Sequence, residues 1–74
     1  MKEKIKKYFN KVVDIQIQYT KHGLKSSFSN CIFTSISSKN NMKYAVFLTP
    51  SGNLKKLFFE NKDIEYDIRI RWLC

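Results

Sequence analysis

Near the C-terminus the chain alternates apolar and charged residues without interruption over residues 64–72, IEYDIRIRW. Successive side chains of a β-strand point to opposite sides of the sheet, whereas an amphipathic helix repeats every three or four residues. The segment is therefore predicted to be a strand that lines a core on one side and meets solvent on the other. Its predicted core side consists of Ile64, Tyr66, Ile68, Ile70 and Trp72.

Two periodicities divide the rest of the chain. Four apolar residues near the N-terminus, Ile5, Tyr8, Phe9 and Val12, recur at spacings of three and four between lysines, which predicts an amphipathic helix over about residues 2–11. The period then changes to two, and turns that contain Gly, Pro or Asn separate the apolar segments. Strands are predicted at about residues 12–20, 28–37, 42–49, 54–60 and 64–73.

The second predicted strand does not alternate cleanly. Phe28, Ile32 and Ile36 fall on one side of it, while Cys31 and Phe33 interrupt the pattern. A strand of this kind is either covered on both faces or contains a β-bulge. The sequence leaves both alternatives open.

The 74 residues are predicted to form a single domain, residues 1–74, of the α+β class with mostly β structure. A flat five-stranded meander would leave one face wet and two edges open. We therefore expect a strongly bent antiparallel sheet or a small barrel with the N-terminal helix at one end. The candidate barrels are SH3-like, Sm-like and OB-like.

The order of elements, a helix followed by five strands, resembles that of the Sm-like proteins over most of the chain. Bacterial Sm-like RNA chaperones carry a Tyr-Lys-His signature near the fourth strand, where this chain has Phe59, Glu60 and Asn61. Archaeal and eukaryotic Sm proteins carry an Arg-Gly at that place, which this chain lacks. The resemblance implies a topology, and no RNA-binding residue is carried over from it.

The cysteine content and the apolar segments indicate a cytoplasmic protein. Small secreted scaffolds use more than two cysteines, so we expect Cys31 and Cys74 to be free thiols, with a bond between them as the alternative. We expect no signal peptide, no segment that crosses a bilayer and no attachment to a membrane surface. The high content of Lys, Ile, Asn and Phe is typical of an AT-rich genome.

The formal net charge of +8 is the feature that speaks to partners. Residues 1–56 carry eleven basic and two acidic side chains, whereas residues 57–74 carry three and four. Such a surface attracts polyanions, and we expect it to bind nucleic-acid phosphates; a solvated face that reflects codon usage is the alternative. The predicted phosphate contacts are Lys2, Lys6, Lys7, Lys11, Lys21, Lys25, Lys39, Lys43, Lys55 and Lys56.

Three phenylalanines fall on the strand phase opposite to the main apolar set: Phe33, Phe47 and Phe58. If they are exposed, they offer a stacking platform for bases or an interface for a protein. The alternative is that a closed barrel with a docked helix buries both faces in places.

No catalytic or metal site is predicted. His22 is the only histidine and stands in a polar turn beside Gly23, without a carboxylate placed to orient it. Two distant cysteines and one histidine do not make a zinc site. The carboxylates that precede Arg69 and Arg71 are expected to compensate those charges, so no cofactor is expected.

Two functional hypotheses follow. The first is a non-enzymatic, nucleic-acid-binding module; the second is an interaction protein of phage or mobile-element type that inhibits a larger host enzyme by docking on an acidic or nucleic-acid-facing surface. Lysines gathered on one concave face favour the first, and scattered lysines with an exposed patch of Phe33, Phe47 or Phe58 favour the second. Homo-oligomers through sheet edges are compatible with both.

Overall fold

The computed structural model describes residues 4–73. This part of the chain contains a 3₁₀ segment (Lys4–Tyr8) and five strands: β1 (Lys11–Tyr19), β2 (Lys25–Lys39), β3 (Met42–Leu48), β4 (Leu54–Leu57) and β5 (Ile64–Leu73). The strands form one antiparallel sheet in the order β4-β3-β2-β1-β5. The prediction of a mostly β fold with five antiparallel strands is confirmed.

The long strand β2 divides this sheet into two parts. Its residues 25–31 pair with β1, and its residues 32–39 pair with β3. We call β5, β1 and residues 25–31 the first half-sheet, and residues 32–39, β3 and β4 the second half-sheet. The two halves share β2 and otherwise have different neighbours.

Two irregularities in β2 explain its broken alternation. Two β2 residues, Ser29 and Asn30, stand opposite Asp14 alone, and Thr34 is extra between the pairs formed by Phe33 and Ser35. Asn30 adopts a φ of 57°, in the left-handed region that Asn tolerates better than most residues. The two bulges bring one set of side chains to the inner face: Phe28, Cys31, Phe33 and Ile36. Of the two alternatives that the sequence left open, the bulge is the one found.

The inner faces of both half-sheets contribute to one core. Phe47 of the second half-sheet meets Phe28 of the first edge to face, with ring centroids 5.3 Å apart. The Phe33 ring packs between the rings of Phe47 and Phe9, with centroid distances of 6.0 Å and 5.6 Å respectively. The buried members of the core are Ile5, Val13, Ile15, Ile17, Cys31, Phe33, Ala45, Phe47, Leu57 and Ile68.

The predicted N-terminal amphipathic helix over residues 2–11 is wrong. Lys4–Tyr8 form a 3₁₀ segment, Asn10 takes a φ of 63°, and Lys11 already belongs to β1; residues 1–3 lie outside the described residues. The segment has no acidic residue in its first turn, where a negative charge would stabilise a helix, and isolated short helices are marginal in water. Its apolar residues still pack on the core, because Ile5 is 1% exposed.

The predicted closure into a barrel, and with it the helix-first Sm-like order, is also wrong. β4 and β5 are the two ends of the sheet and do not pair. β4 ends at Leu57, because the hydrogen bonds from Phe59 N–H to the Leu57 carbonyl (3.0 Å) and from Asn61 N–H to the Phe58 carbonyl (3.0 Å) turn the chain out of the strand. The sheet is therefore open.

The outermost strand, β5, has the predicted phase but not the predicted degree of burial. Ile68 is 8% exposed and Ile64 packs against the core. Tyr66 and Ile70 share that phase, yet they are 38% and 47% exposed. A strand at the edge of a sheet has a neighbour on one side only, so its inner side chains are covered incompletely.

Candidate binding surfaces

The outer face of the second half-sheet carries a row of exposed aliphatic side chains. Ile32 stands directly opposite Leu48, and Leu48 stands directly opposite Leu54, so the three side chains point to the same side of three adjacent strands. They are 39%, 37% and 66% exposed, respectively. We call these three residues the aliphatic row; at a strand spacing of about 4.8 Å it extends over roughly 10 Å.

An aromatic pair lies on the same half-sheet, separated from the aliphatic row by the paired residues Val46 and Lys56. The rings of Tyr44 and Phe58 are tilted against each other with centroids 5.0 Å apart. The Lys56 ammonium lies over the Tyr44 ring, 5.0 Å from its centroid. The lysine therefore covers one side of the ring and leaves the ammonium at the surface, beside the apolar row.

The charges of the second half-sheet have a single sign. Residues 32–57 contain Lys39, Lys43, Lys55 and Lys56 and no Asp or Glu. Glu60 lies just beyond this segment, and its carboxylate accepts a hydrogen bond of 3.3 Å from the Lys43 N–H. The register places Lys39, opposite Met42, and Lys56, opposite Val46, on the outer face, whereas Lys43 and Lys55 lie on the phase of the inward-facing Phe47. The aliphatic row therefore has one neighbouring lysine on its own face, Lys56, two residues from Leu54.

The outer face of the first half-sheet is polar, and two of its carboxylates lie beside arginines. Arg71 Nε donates to both carboxylate oxygens of Asp14 at 2.9 Å, and Arg69 Nε lies 3.7 Å from Asp67 Oδ2. Gln16 stands opposite Ser27 on one side and Asp67 on the other. This face therefore carries both signs of charge and no aliphatic row.

Asp14 connects the irregularities on either side of β1. Its carboxylate accepts a hydrogen bond of 3.1 Å from the N–H of Asn30, which lies in the first bulge of β2. It also binds Arg71, the extra residue of β5 between the residues that pair with Val12 and Val13. The Arg71 hydrogen bond lowers the pKa of Asp14; partial burial works in the opposite direction, and the Asn30 N–H adds to the lowering. The carboxylate is therefore ionised at neutral pH and holds both bulges.

The predicted phosphate-binding lysines are spread over several elements. Lys6 and Lys7 lie on the 3₁₀ segment, and Lys11 Nζ donates to the Lys7 carbonyl at 2.8 Å. Lys21 forms an exposed ion pair of 3.5 Å with Asp63. Lys2 lies outside the described residues.

The ends of β2 separate the remaining predicted lysines. Lys25 is the first residue of this fifteen-residue strand and Lys39 is the last, so these two lie at opposite ends. Lys43 is beside Lys39 across the β2–β3 hairpin, and Lys55 and Lys56 lie on β4. The fold thus groups Lys39, Lys43, Lys55 and Lys56 on the second half-sheet, apart from Lys21 and Lys25.

Phe33 and Phe47 are buried, so of the two alternatives that their strand phase left open, exposure is not the one found for them. They are 3% and 0% exposed, because they face each other across β2 and β3 on the inner side. In β3 the more numerous apolar residues, Met42, Tyr44, Val46 and Leu48, are the ones that face outward. Phe58 is half-buried against Tyr44 and keeps part of its surface in solvent.

Sequence reasoning missed the aliphatic row. The signal was present in the turn Pro50–Asn53, because Leu48 and Leu54 flank it at positions that pair across a hairpin. Placing Ile32 beside them required knowledge of the Thr34 bulge, which changes which β2 residues face outward.

Other reactive groups are isolated or inert. His22 is exposed in the β1–β2 turn, and residues 4–73 contain no cluster of three His, Cys, Asp or Glu side chains that could hold a metal ion. Burial raises the pKa of the Cys31 thiol, with a contribution from the nearby Asp14 charge, so the thiol stays protonated. No helix in the described part of the chain is long and apolar enough to span a lipid bilayer.

Comparison with known proteins adds no relative: no family model matches the sequence, no curated protein matches it, and no solved structure matches the fold. The binding partner is therefore inferred from the surfaces of this chain.

Proposed function

We propose that this chain is a small non-enzymatic binding module that docks on a partner protein through the outer face of its second half-sheet. The observation that carries the proposal is the aliphatic row, three exposed side chains in direct register across three strands, with Lys56 on the same face and no carboxylate in residues 32–57. A partner that fits this surface has an apolar contact in its centre and an acidic side chain near Lys56.

The chemistry of the row favours a protein over a nucleic acid. Single-stranded nucleic acids stack their bases on aromatic rings beside a basic groove. Ile32, Leu48 and Leu54 offer neither a ring nor a hydrogen-bonding group, and the Tyr44 ring is covered on one side by Lys56. Burying these three aliphatic side chains against an apolar protein surface stabilises a complex, whereas aliphatic side chains offer no ring on which a base could stack.

Binding of nucleic-acid phosphates is the second candidate, and the net charge of +8 supports it. Such binding would depend on the lysines and on salt, and it would be indifferent to the aliphatic row. The two candidates therefore respond differently to the same substitutions.

Selection of a random peptide display library on the immobilised protein tests the proposal. We expect the enriched peptides to combine Asp or Glu with aliphatic or aromatic residues. The key variant is Leu54→Ser, at 66% exposure, and the matched control is Leu24→Ser, at 63% exposure in the β1–β2 turn. We expect Leu54→Ser to weaken binding of a selected peptide about tenfold and Leu24→Ser to leave it unchanged.

A labelled single-stranded oligonucleotide provides the competing arm. Retention of this oligonucleotide at about 50 mM salt, with equal affinity for the wild type and Leu54→Ser, would favour the phosphate-binding candidate. Peptide binding that is equally weakened by Leu24→Ser and Leu54→Ser would show that the aliphatic row is not the docking surface.

A further inference from the structure

The edge of the first half-sheet is the long strand β5, which takes no part in docking through the second half-sheet. Within residues 4–73, β5 pairs with β1 on one side and has no strand on the other. β5 is ten residues long, whereas the opposite edge strand, β4, has four residues, two of them lysines. Short, lysine-rich edges resist further pairing, and long edges accept it.

The charges along the solvent side of β5 are ordered. Glu65 and Asp67 precede Ile68, and Arg69 and Arg71 follow it. An antiparallel copy of the same strand presents this order in reverse. If the two-fold axis passes through Ile68, Asp67 faces the partner's Arg69, and Glu65 faces the partner's Arg71.

Neighbouring registers lack this complementarity. Moving the axis to Tyr66 places Glu65 opposite the partner's Asp67, and moving it to Ile70 places Arg69 opposite the partner's Arg71. Like charges directly opposite each other on adjacent strands are destabilising, and opposite charges are stabilising. Charge therefore selects the register centred on Ile68.

The apolar side of β5 fits the same register. Tyr66 and Ile70 are 38% and 47% exposed, although they lie on the phase that faces the core. In the register centred on Ile68, Tyr66 faces the partner's Ile70, so each exposed side chain gains an apolar neighbour. The charged side and the apolar side of β5 therefore favour the same register.

We propose that β5 pairs antiparallel with β5 of a second copy about Ile68, which makes a two-fold dimer with a continuous sheet. The Arg71 guanidinium uses its Nε for Asp14, and its terminal N–H groups are the donors that a partner's Glu65 would meet. The net charge of +8 on each copy opposes association, and salt near physiological strength screens this repulsion beyond about 8 Å.

Charge-swap variants of the full chain in sedimentation equilibrium test the dimer and its register together. Asp67→Arg and Arg69→Asp each turn two attractive cross-strand pairs into two repulsive ones, because each pair occurs twice about the axis. We expect each single variant to weaken the dimer at least about tenfold. Both side chains are exposed, at 63% and 82%, and circular dichroism checks that the variants fold.

Two combinations distinguish register from general charge effects. The double variant Asp67→Arg with Arg69→Asp restores opposite charges and should dimerise like the wild type. An equimolar mixture of the two single variants should form heterodimers, since the first carries two arginines and the second two aspartates at these positions. Lys55→Asp, on the β4 edge, alters the net charge as much as Arg69→Asp does and should leave the dimer intact.

The dimer would be ruled out by a wild type that remains monomeric at every concentration it can be brought to. The register centred on Ile68 would be ruled out if neither the double variant nor the mixture recovers association, or if Lys55→Asp weakens the dimer as much as Arg69→Asp. Peptide binding by Leu54→Ser is measured separately, so failure of the dimer and failure of the docking surface are distinguishable.

Discussion

The two half-sheets share one core and differ in what they present to solvent. The outer face of the first half-sheet has two carboxylates beside arginines, with Asp14 held by Arg71 and Asp67 beside Arg69. The outer face of the second half-sheet carries the aliphatic row with Lys56 beside Leu54. Because β2 runs through both, a bulge-containing strand lets a small domain give its two halves different surface chemistry without dividing its core.

The shared core predicts the largest effect. Phe47 is fully buried and touches Phe28 of the first half-sheet and Phe33 of β2, so Phe47→Ala should cost about 3–5 kcal/mol. That is comparable to the whole stability of a domain of this size, about 3–5 kcal/mol, so the variant should be largely unfolded. Urea denaturation followed by circular dichroism measures the loss.

A second core substitution, in the first half-sheet, tests whether both half-sheets unfold together. Ile15→Ala, in the core of the first half-sheet, should cost about 2–5 kcal/mol and should abolish the same single transition. If either substitution melted one half while the other kept its cooperative unfolding, the two half-sheets would not share one core.

The bulge at Asn30 predicts the next largest effect. Its φ of 57° strains a β-branched residue and suits glycine, so Asn30→Val should lower the free energy of unfolding by about 1–2 kcal/mol, while Asn30→Gly should be nearly neutral. Urea midpoints of the two variants make the comparison. Equal losses for Val and Gly would show that the side chain of Asn30, and not its backbone conformation, matters.

Asp14 predicts a pH dependence located in the first half-sheet. The pKa of Asp14 is lowered in the folded state relative to its ordinary value of 3.8, chiefly by the Arg71 hydrogen bond. Its contribution to stability is therefore fully present above the unfolded pKa and is lost as the pH falls through the folded pKa. The measurement is the urea midpoint of the wild type and of Asp14→Asn between neutral pH and the acid range.

The expected result for Asp14→Asn is a lower midpoint at neutral pH and a smaller difference from the wild type in acid, where the wild-type carboxylate is protonated. A difference between the two proteins that stays constant across this range would contradict the assigned role of the charge.

The aliphatic row predicts the smallest change in stability. Leu54 is 66% exposed, so Leu54→Ser should change the free energy of unfolding by no more than about 0.5 kcal/mol, as expected for surface substitutions. Gln16→Ser, on the outer face of the first half-sheet, is the matched control. A large loss for Leu54→Ser alone would mean that the row is part of the fold and not a free surface.

Strand content was readable from the sequence because alternation is local. The segment 64–72 repeats with a period of two, and the structure forms β5 over it. The 3₁₀ segment was misjudged because its apolar spacing of three and four fits both a helix and a short turn whose residues cover an open core. Ile5 and Phe9 pack on that core in either case.

The candidate surface was much less predictable. In β3 both sets of alternating positions contain apolar residues. The set with more of them includes Tyr44, Val46 and Leu48, so counting apolar residues predicts that these three face the core. The inner positions go instead to Ala45, which pairs with Ile36 and Leu57, and to Phe47, which pairs with Phe33 and Lys55. These pairings depend on the position of the bulges, which no local pattern specifies.

Methyl NMR spectra of the protein, titrated with a peptide selected on the wild type, show which face of the sheet a partner contacts. Docking on the outer face of the second half-sheet predicts that the methyl signals of Ile32, Leu48 and Leu54 shift on titration, while those of Leu24 and Ile70 do not. Shifts confined to Leu24 or Ile70, with the aliphatic row unchanged, would contradict it.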